Sequence, residues 1–370
     1  MEVGQTVFAD LITARRTVAL GALVLALGVA ACGDDSSSSS GGGGGGGGSK
    51  EAKLAFVYPT TTTNFAQEMA LGAKAAADAT PGVKLTEAAP AEVNGPKQVQ
   101  LFQAATRSSK DGVAMMTLTP DLFLRPLLTA SSQNVPLVAV DVPPPKGAEK
   151  AVKLLIGNSN EEIGADLAKA IVPKIPEGAK GEILMGTDTP GLPVLEQRNK
   201  GFQDVIKKER PGVTFLVFDA KQSPTDNFNT WSAQVKAHPD ALAYVGPGSQ
   251  AAVSLTRIQK RDKGKKLVVG ACDLDPVALE GVRDGYVTAL ISPEHWVKGY
   301  LAIKLMAQAK QDGKDLPEGV WNSGALTVNK DNIDEIITRQ KDAASRKAYF
   351  EDKVQEQLDN PDQHLSQPTG

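Results

Sequence analysis

From residue 54 onward, short apolar runs alternate with stretches in which apolar side chains recur every three or four positions. LAFVYP (54–59), VKLTEA (83–88), GVAMMTL (112–118) and PLVAVD (136–141) read as strands. Between the first two, Ala66, Met69, Ala70, Ala73, Ala76 and Ala77 share one helical face until Pro81 and Gly82 stop it. Helical segments are predicted at 95–109 and 120–134. A second series follows with GEILMG (181–186), VTFLVF (213–218), ALAYVG (241–246), LVVGAC (267–272) and YVTALI (286–291). Its helices include 226–237, where Phe228, Trp231 and Val235 share a face, and 249–261. Short apolar strands alternating with amphipathic helices predict an α/β chain with two doubly wound parallel-sheet lobes.

The first fifty residues follow another pattern. Arg15 and Arg16 precede fourteen apolar or glycine residues, 18–31, which as a helix would reach about 21 Å. A bilayer core of about 30 Å needs more, so residues 1–31 read as a signal peptide. Val29, Ala30 and Ala31 stand directly before Cys32 and together resemble a bacterial lipobox, in which the cysteine becomes the lipidated first residue. An ordinary secretory signal or a twin-arginine signal are the alternatives. Residues 36–49 are only serine and glycine; with no apolar group to offset the entropy of ordering, they read as a tether with a reach of about 20 Å.

Composition narrows the chemistry. The 370 residues are 41% hydrophobic and 22% charged, which suits a globular body of two lobes. The formal charge of −3 and the absence of a basic cluster argue against nucleic acid. Cys32 and Cys272 are the only cysteines, and His238, His295 and His364 the only histidines. None has the spacing of a zinc site. No GxGxxG or GxxxxGK[ST] opens a helix, so neither a dinucleotide nor a nucleoside triphosphate is implied; no cofactor and no metal are expected. No GxSxG elbow is present either, which leaves an anchored hydrolase as a weak rival.

Open parallel sheets bind ligands beyond the carboxyl ends of their strands. Here those loops read TTTTN, TPD, DVPPP, GTDTPGLP, GPGS and CDLD. In order along the chain, FVYPTTTTNFAQEMALGAKAAA, PLVAVD, GNSNEEIGADLA, RNKGFQ, AHPDALAYV, VVGACDLDPVALEGVRDGYVTA and PEHWVKGYLA resemble the type I periplasmic binding proteins of the ribose and galactose transporter class. The resemblance covers residues 52–328. It implies two lobes joined by a three-segment hinge, crossing near 157–160, 291–294 and 322–325. The expected segments are a signal peptide 1–31, a lipidated cysteine and tether 32–50, an N-terminal lobe of 51–157 plus 294–322, a C-terminal lobe of 158–293 plus 323–345, and a tail 346–370 contributing little beyond a short helix.

The resemblance also implies a function: hinge closure on a small polar ligand, a monosaccharide or polyol, and its delivery to an ABC permease by a monomer anchored outside the cell membrane. A sensory subunit for a kinase or chemoreceptor would need the same hinge. Sugar hydroxyls favour charged planar groups, and CH faces favour aromatic rings. Asp141 and Asp273 fall where the family has hydroxyl-binding carboxylates, Arg198 matches its ligand-binding arginine, and Asn158 on the first crossover matches a polar ligand residue. For Asp273 a helix cap is the alternative, and for Arg198 an ion pair with Glu196 or Asp204. Thr63, Asn64 and Phe65 at the first strand's outlet, Thr119 after the third, Gly248 after the strand at 241–246, and Glu294 after the second crossover complete the candidates. Trp296 reads either as lining the cleft mouth or as helix core. Val142, Gly248 with Ser249, Cys272, and Ser292 to Glu294 depart from the ribose-type pattern, so the pocket is not a ribose pocket residue for residue.

Overall fold

The structure, a computed structural model, describes residues 50–264 and 266–367. The expected signal peptide, Cys32 and all but the last residue of the tether segment lie outside the described residues. Strands β1 (Ala52–Val57), β2 (Val83–Ala88), β3 (Gly112–Met115), β4 (Leu137–Val140) and β5 (Leu154–Gly157) come first. Then follow β6 (Gly181–Thr187), β7 (Val213–Asp219), β8 (Ala243–Gly246), β9 (Val269–Cys272) and β10 (Ala289–Ser292). The series closes with β11 (Gly319–Asn322), β12 (Leu326–Val328) and β13 (Leu365–Ser366). The first five pair with β11 and β13 in one sheet, ordered β13-β11-β5-β4-β3-β1-β2; the rest form a second, ordered β12-β10-β9-β8-β6-β7. All pairings are parallel except those of the edge strands β12 and β13.

Among the described residues, twelve α-helices accompany the sheets: α1 (Asn64–Asp78), α2 (Gly95–Ser108), α3 (Leu124–Ser132), α4 (Asn160–Ile171), α5 (Pro193–Glu209), α6 (Pro224–Ala237), α7 (Ala251–Asp262), α8 (Pro276–Asp284), α9 (His295–Asp312), α10 (Ile333–Arg339), α11 (Ala343–Asp359) and the single turn α12 (Pro361–His364). Each sheet is buried on both faces, which is why β3, β4, β8 and β9 are continuous apolar or small-residue runs rather than alternating ones. The helix predicted at 120–134 is instead a 3-10 turn, Pro120–Phe123, followed by α3. Pro126 lacks an N–H and fits only the first turn of a helix, so the α-helix begins just before it. No helix among the described residues is long and apolar enough to cross a membrane.

The chain passes between the sheets from β5 to α4, from β10 to α9, and from β11 to β12. Helix α9 packs on α1 and β1 in the first lobe, and α4 packs on α5, β9 and β10 in the second. One side chain ties the three passages together: the Asn158 amide donates to Pro293 O at 3.3 Å, Ser323 Oγ at 3.1 Å and Gly324 O at 2.7 Å.

The tail departs from expectation. Helix α11 buries Phe350 and Val354 in the first lobe's core, and Phe350 stacks on Trp296 with centroids 5.1 Å apart. Gln357 accepts from the Trp321 indole at 2.9 Å, and β13 extends the first sheet beyond β11. Trp296 is therefore core rather than cleft lining. Its buried ring lies between Phe350 and Tyr300. Trp231 is core as well, packed edge-on to Phe218.

Candidate functional site

Two strands ending in aspartate frame the site. Asp141 follows β4 and Asp273 follows β9, and both adopt the left-handed backbone, with φ of 65° and 71°. That conformation is costly for residues with a side chain, though least so for Asp and Asn. Each is held there by the same contact. The Asp141 N–H donates to Ile156 O at 2.7 Å, and the Asp273 N–H to Ile291 O at 2.9 Å. The two carboxylates thus occupy equivalent points in the two lobes.

They face a cavity of about 30 Å³. Its other walls include Phe65 from α1, Met116 and Leu118 beyond β3, Leu192, Val194, Leu195 and Arg198 at the start of α5, and Asp188, Gln222, Gly248, Ser249 and His295. Leu192, Val194 and Leu195 belong to the second lobe yet pack in one apolar cluster with Phe65, Met116 and Leu118 of the first. This contact across the cleft keeps the cavity small. About 30 Å³ holds a water or two, an order of magnitude below the hundreds of Å³ typical of ligand clefts; a larger ligand enters only as the lobes part.

Of the sequence-predicted residues, Phe65, Asp141, Arg198, Gly248 and Asp273 line this cavity. Five others do not. Asn158 is spent on the hinge contacts described above. Glu294 is buried, but its carboxylate accepts from Arg339 at 3.1 Å and Lys353 at 3.0 Å. Burial works to raise its pKa, but those two cations outweigh it and hold the group below the ordinary range. Asn64 borders a separate void of about 10 Å³ beside Glu294. Thr63 is the residue before α1, where its carbonyl accepts from the Gln67 N–H. Thr119 is bound into its own loop, its N–H donating to Thr117 Oγ1 at 3.1 Å.

Arg198 is buried and makes no carboxylate ion pair with Glu196 or Asp204. Its Nε donates to Asn160 Oδ1 at 2.9 Å and one terminal nitrogen to Pro247 O at 3.0 Å, while the other has no partner. Gln222 likewise leaves its buried amide nitrogen unpaired. Two donors at the cavity therefore await an acceptor. The Asp275 side chain caps α8, accepting from the Val277 N–H at 2.8 Å, so Asp273 is not needed for that task.

Several side chains here escaped sequence reasoning. Lys298, 0% exposed on α9, pairs with Asp141. His295 Nε2 lies 2.8 Å from Asp273 Oδ1. Burial pulls against ionisation of Asp141, but Lys298, with Arg198, overcomes it and holds the carboxyl well below the ordinary range. Burial pushes Lys298 down, against the pull of Asp141. Asp188, from the loop after β6, accepts from Asn227 and from the Gln250 N–H, both at 3.0 Å. Burial nevertheless pushes its carboxyl up to about 7. Gly248 makes room for it, since an added Cβ would lie 2.5 Å from Asp188 Oδ2. A histidine opening a helix at a crossover, and a lysine one turn later in an otherwise apolar segment, were the signals available.

The arrangement offers free carboxylate oxygens as acceptors, unpaired nitrogens as donors, and one aromatic face. That combination suits a neutral, hydroxyl-rich molecule.

Residues 54–315 match the family model described as periplasmic binding protein domain. The xylose/arabinose-binding protein of Sulfolobus acidocaldarius is 22% identical over 262 residues, covering 67% of this chain and 64% of the relative, so the match spans somewhat less than two thirds of that protein. The D-allose-binding periplasmic protein of Escherichia coli is 26% identical over 237 residues, covering 62% of this chain and 75% of the relative. A crystal structure of an ABC transporter solute-binding protein from Agrobacterium vitis with bound D-fucose superposes with a TM-score of 0.70 at 23% identity, covering 76% of this chain and 97% of that one. With a two-lobed α/β fold and a family match over most of its length, the chain belongs to the periplasmic binding protein family.

Proposed function

We propose that this chain is a membrane-anchored, extracytoplasmic substrate-binding protein that captures a monosaccharide or polyol between its lobes and delivers it to an ABC importer. The cavity carries this reading: one carboxylate from each lobe, an arginine and a glutamine with unpaired donors, and Phe65 converge on it. A sugar hydroxyl both donates and accepts, so it answers both kinds of group. The relatives whose names specify xylose/arabinose and D-allose support the same ligand class. The ligand-contacting residues are Phe65, Asp141, Arg198, Gln222, Gly248 and Asp273. The anchor is Cys32, with residues 36–49 as a spacer.

A binding role rather than turnover is supported by the site's nucleophile candidates. Burial pushes the Cys272 thiol up to about 12, far from the thiolate a nucleophile needs. Both ring nitrogens of His295 have partners, Asp273 and Lys298, so neither is open to take a proton from substrate.

The test is a thermal-shift screen of the full chain against pentoses, hexoses, their deoxy forms and polyols. A ligand at 100 times its Kd stabilises the folded state by about 2.7 kcal/mol, a shift of a few degrees for a chain of this size. A transition unmoved by every sugar and polyol would remove the reading.

A further inference from the structure

Helix α9 begins at the second passage between lobes, and its first turn reaches both cleft carboxylates. Lys298 pairs with Asp141, which follows β4 of the first sheet. His295 meets Asp273, which follows β9 of the second. The two α9 residues are three apart, on one face, and Lys298 Nζ lies 3.5 Å from His295 Nδ1. The network assigns the tautomer. Lys298 donates to Nδ1, so Nε2 carries the hydrogen that it donates to Asp273. Asp141, Lys298, His295 and Asp273 therefore form one hydrogen-bonded chain that crosses the cleft.

Each carboxylate is engaged through Oδ1 alone. Neither Oδ2 has a hydrogen-bond partner among the described residues, and both acids border the cavity. Lys298 does not border it and stands behind Asp141. A buried lysine that touches no ligand is an expensive feature unless paired. Its effect is to keep Asp141 ionised and fix one oxygen, leaving the other to receive a hydroxyl. His295 likewise fixes one oxygen of Asp273 while linking the lobes.

We infer that Lys298 and His295 are positioning residues for ligand capture: they orient the two cleft carboxylates so that each presents a single oxygen to the bound molecule. This rests on the reading of the cavity as a monosaccharide or polyol site. It makes the first turn of α9 a determinant of which hydroxyl pattern is accepted, although Lys298 itself touches nothing in the cavity.

The experiment titrates the full chain and its K298M, D141N, K298M/D141N, H295Q and H295A variants with D-xylose, D-arabinose, D-allose and D-fucose by calorimetry, alongside thermal unfolding without sugar. Because Lys298 acts through Asp141, K298M should weaken the sugar bound by the wild type at least tenfold, and K298M/D141N should bind no more weakly than D141N alone. H295Q, which keeps a donor toward Asp273, should retain more affinity than H295A. A purely structural lysine would lower the unfolding temperature while leaving affinity within twofold, and that result would overturn the inference, as would losses that simply add in the double variant. If the wild type binds none of the four sugars, the monosaccharide reading is what fails for these probes. The chain is then judged by unfolding alone: K298M should melt well below K298M/D141N, and equal melting would overturn it.

Discussion

The two lobes build their cleft walls from the same device and then use it differently. In the first lobe, α1 and α9 cross at Gly72 and Gly299; an added Cβ on either would lie 1.9 Å from the carbonyl oxygen of Trp296 or Met69 on the other helix. In the second, α4 and α5 cross at Gly164 and Gly201, with the same 1.9 Å to Arg198 O and Glu161 O. Each pair has backbones in direct contact, which only glycine permits. The outcome at the cleft differs. The first pair delivers a lysine bonded to a carboxylate, plus a histidine. The second delivers an arginine whose hydrogen bonds go to an amide oxygen and a carbonyl, leaving one nitrogen free. One lobe thus fixes acceptors for the ligand, and the other keeps a donor in reserve.

The largest effect should come from breaking the first lobe's ion pair. Lys298→Met strands a buried carboxylate, a loss of about 3–5 kcal/mol, measurable by urea unfolding. Arg198→Met strands no direct carboxylate partner and should cost less stability while costing more affinity. Equal stability losses would erase the proposed difference between the lobes. Of similar size is Phe350→Ala, which removes the ring stacked on Trp296 and should cost about 3–5 kcal/mol. Among the described residues, no aromatic stacking joins the tail to the second lobe's helix pair.

Next come the crossings themselves. Gly201→Ala and Gly299→Ala should each cost about 1–3 kcal/mol or somewhat more, because the added methyl must push two helix backbones apart. Losses matching between lobes would support the shared device, and a neutral substitution in either would refute it there. The smallest effect is one of pH. The Asp188 carboxyl, pushed up to about 7 in the folded chain, holds its proton more tightly than in the unfolded chain. Stability from this group should therefore fall as pH rises from about 4 to 7. Asp141 is shifted in the opposite direction, so its contribution is present at neutral pH and lost only as acid protonates it, below that window. Melting curves of the wild type and Asp188→Asn across pH 4–8 should diverge over that window, and parallel curves would contradict the assignment.

Much of the fold was legible because buried parallel strands announce themselves: LVAV and VGAC carry no polar residue, and the glycine and proline between segments mark their ends. The aspartates after β4 and β9 were legible for the same reason, as polar residues closing apolar runs. Lys298 was not. A lysine in a long helix normally reads as a solvent-facing side chain, and its partner Asp141 lies 157 positions away. The tail misled for a related reason. Only a few of its residues, Tyr349, Phe350, Val354, Leu358 and Leu365, touch the first lobe's core, too few to stand out against the charges around them. Glu294 and Asn158 occupied the right region of the chain, but side chains at a crossover can turn to the hinge or to the cavity, and local sequence does not encode which.

Calorimetric titration of the full chain with monosaccharides addresses sugar capture most directly. One saturable site per chain is expected, with an affinity near or below the micromolar range, about −8 kcal/mol, and lost on Asp273→Ala in a variant that still melts cooperatively. Absence of saturable binding to any sugar or polyol, or binding left intact by Asp273→Ala, would contradict it.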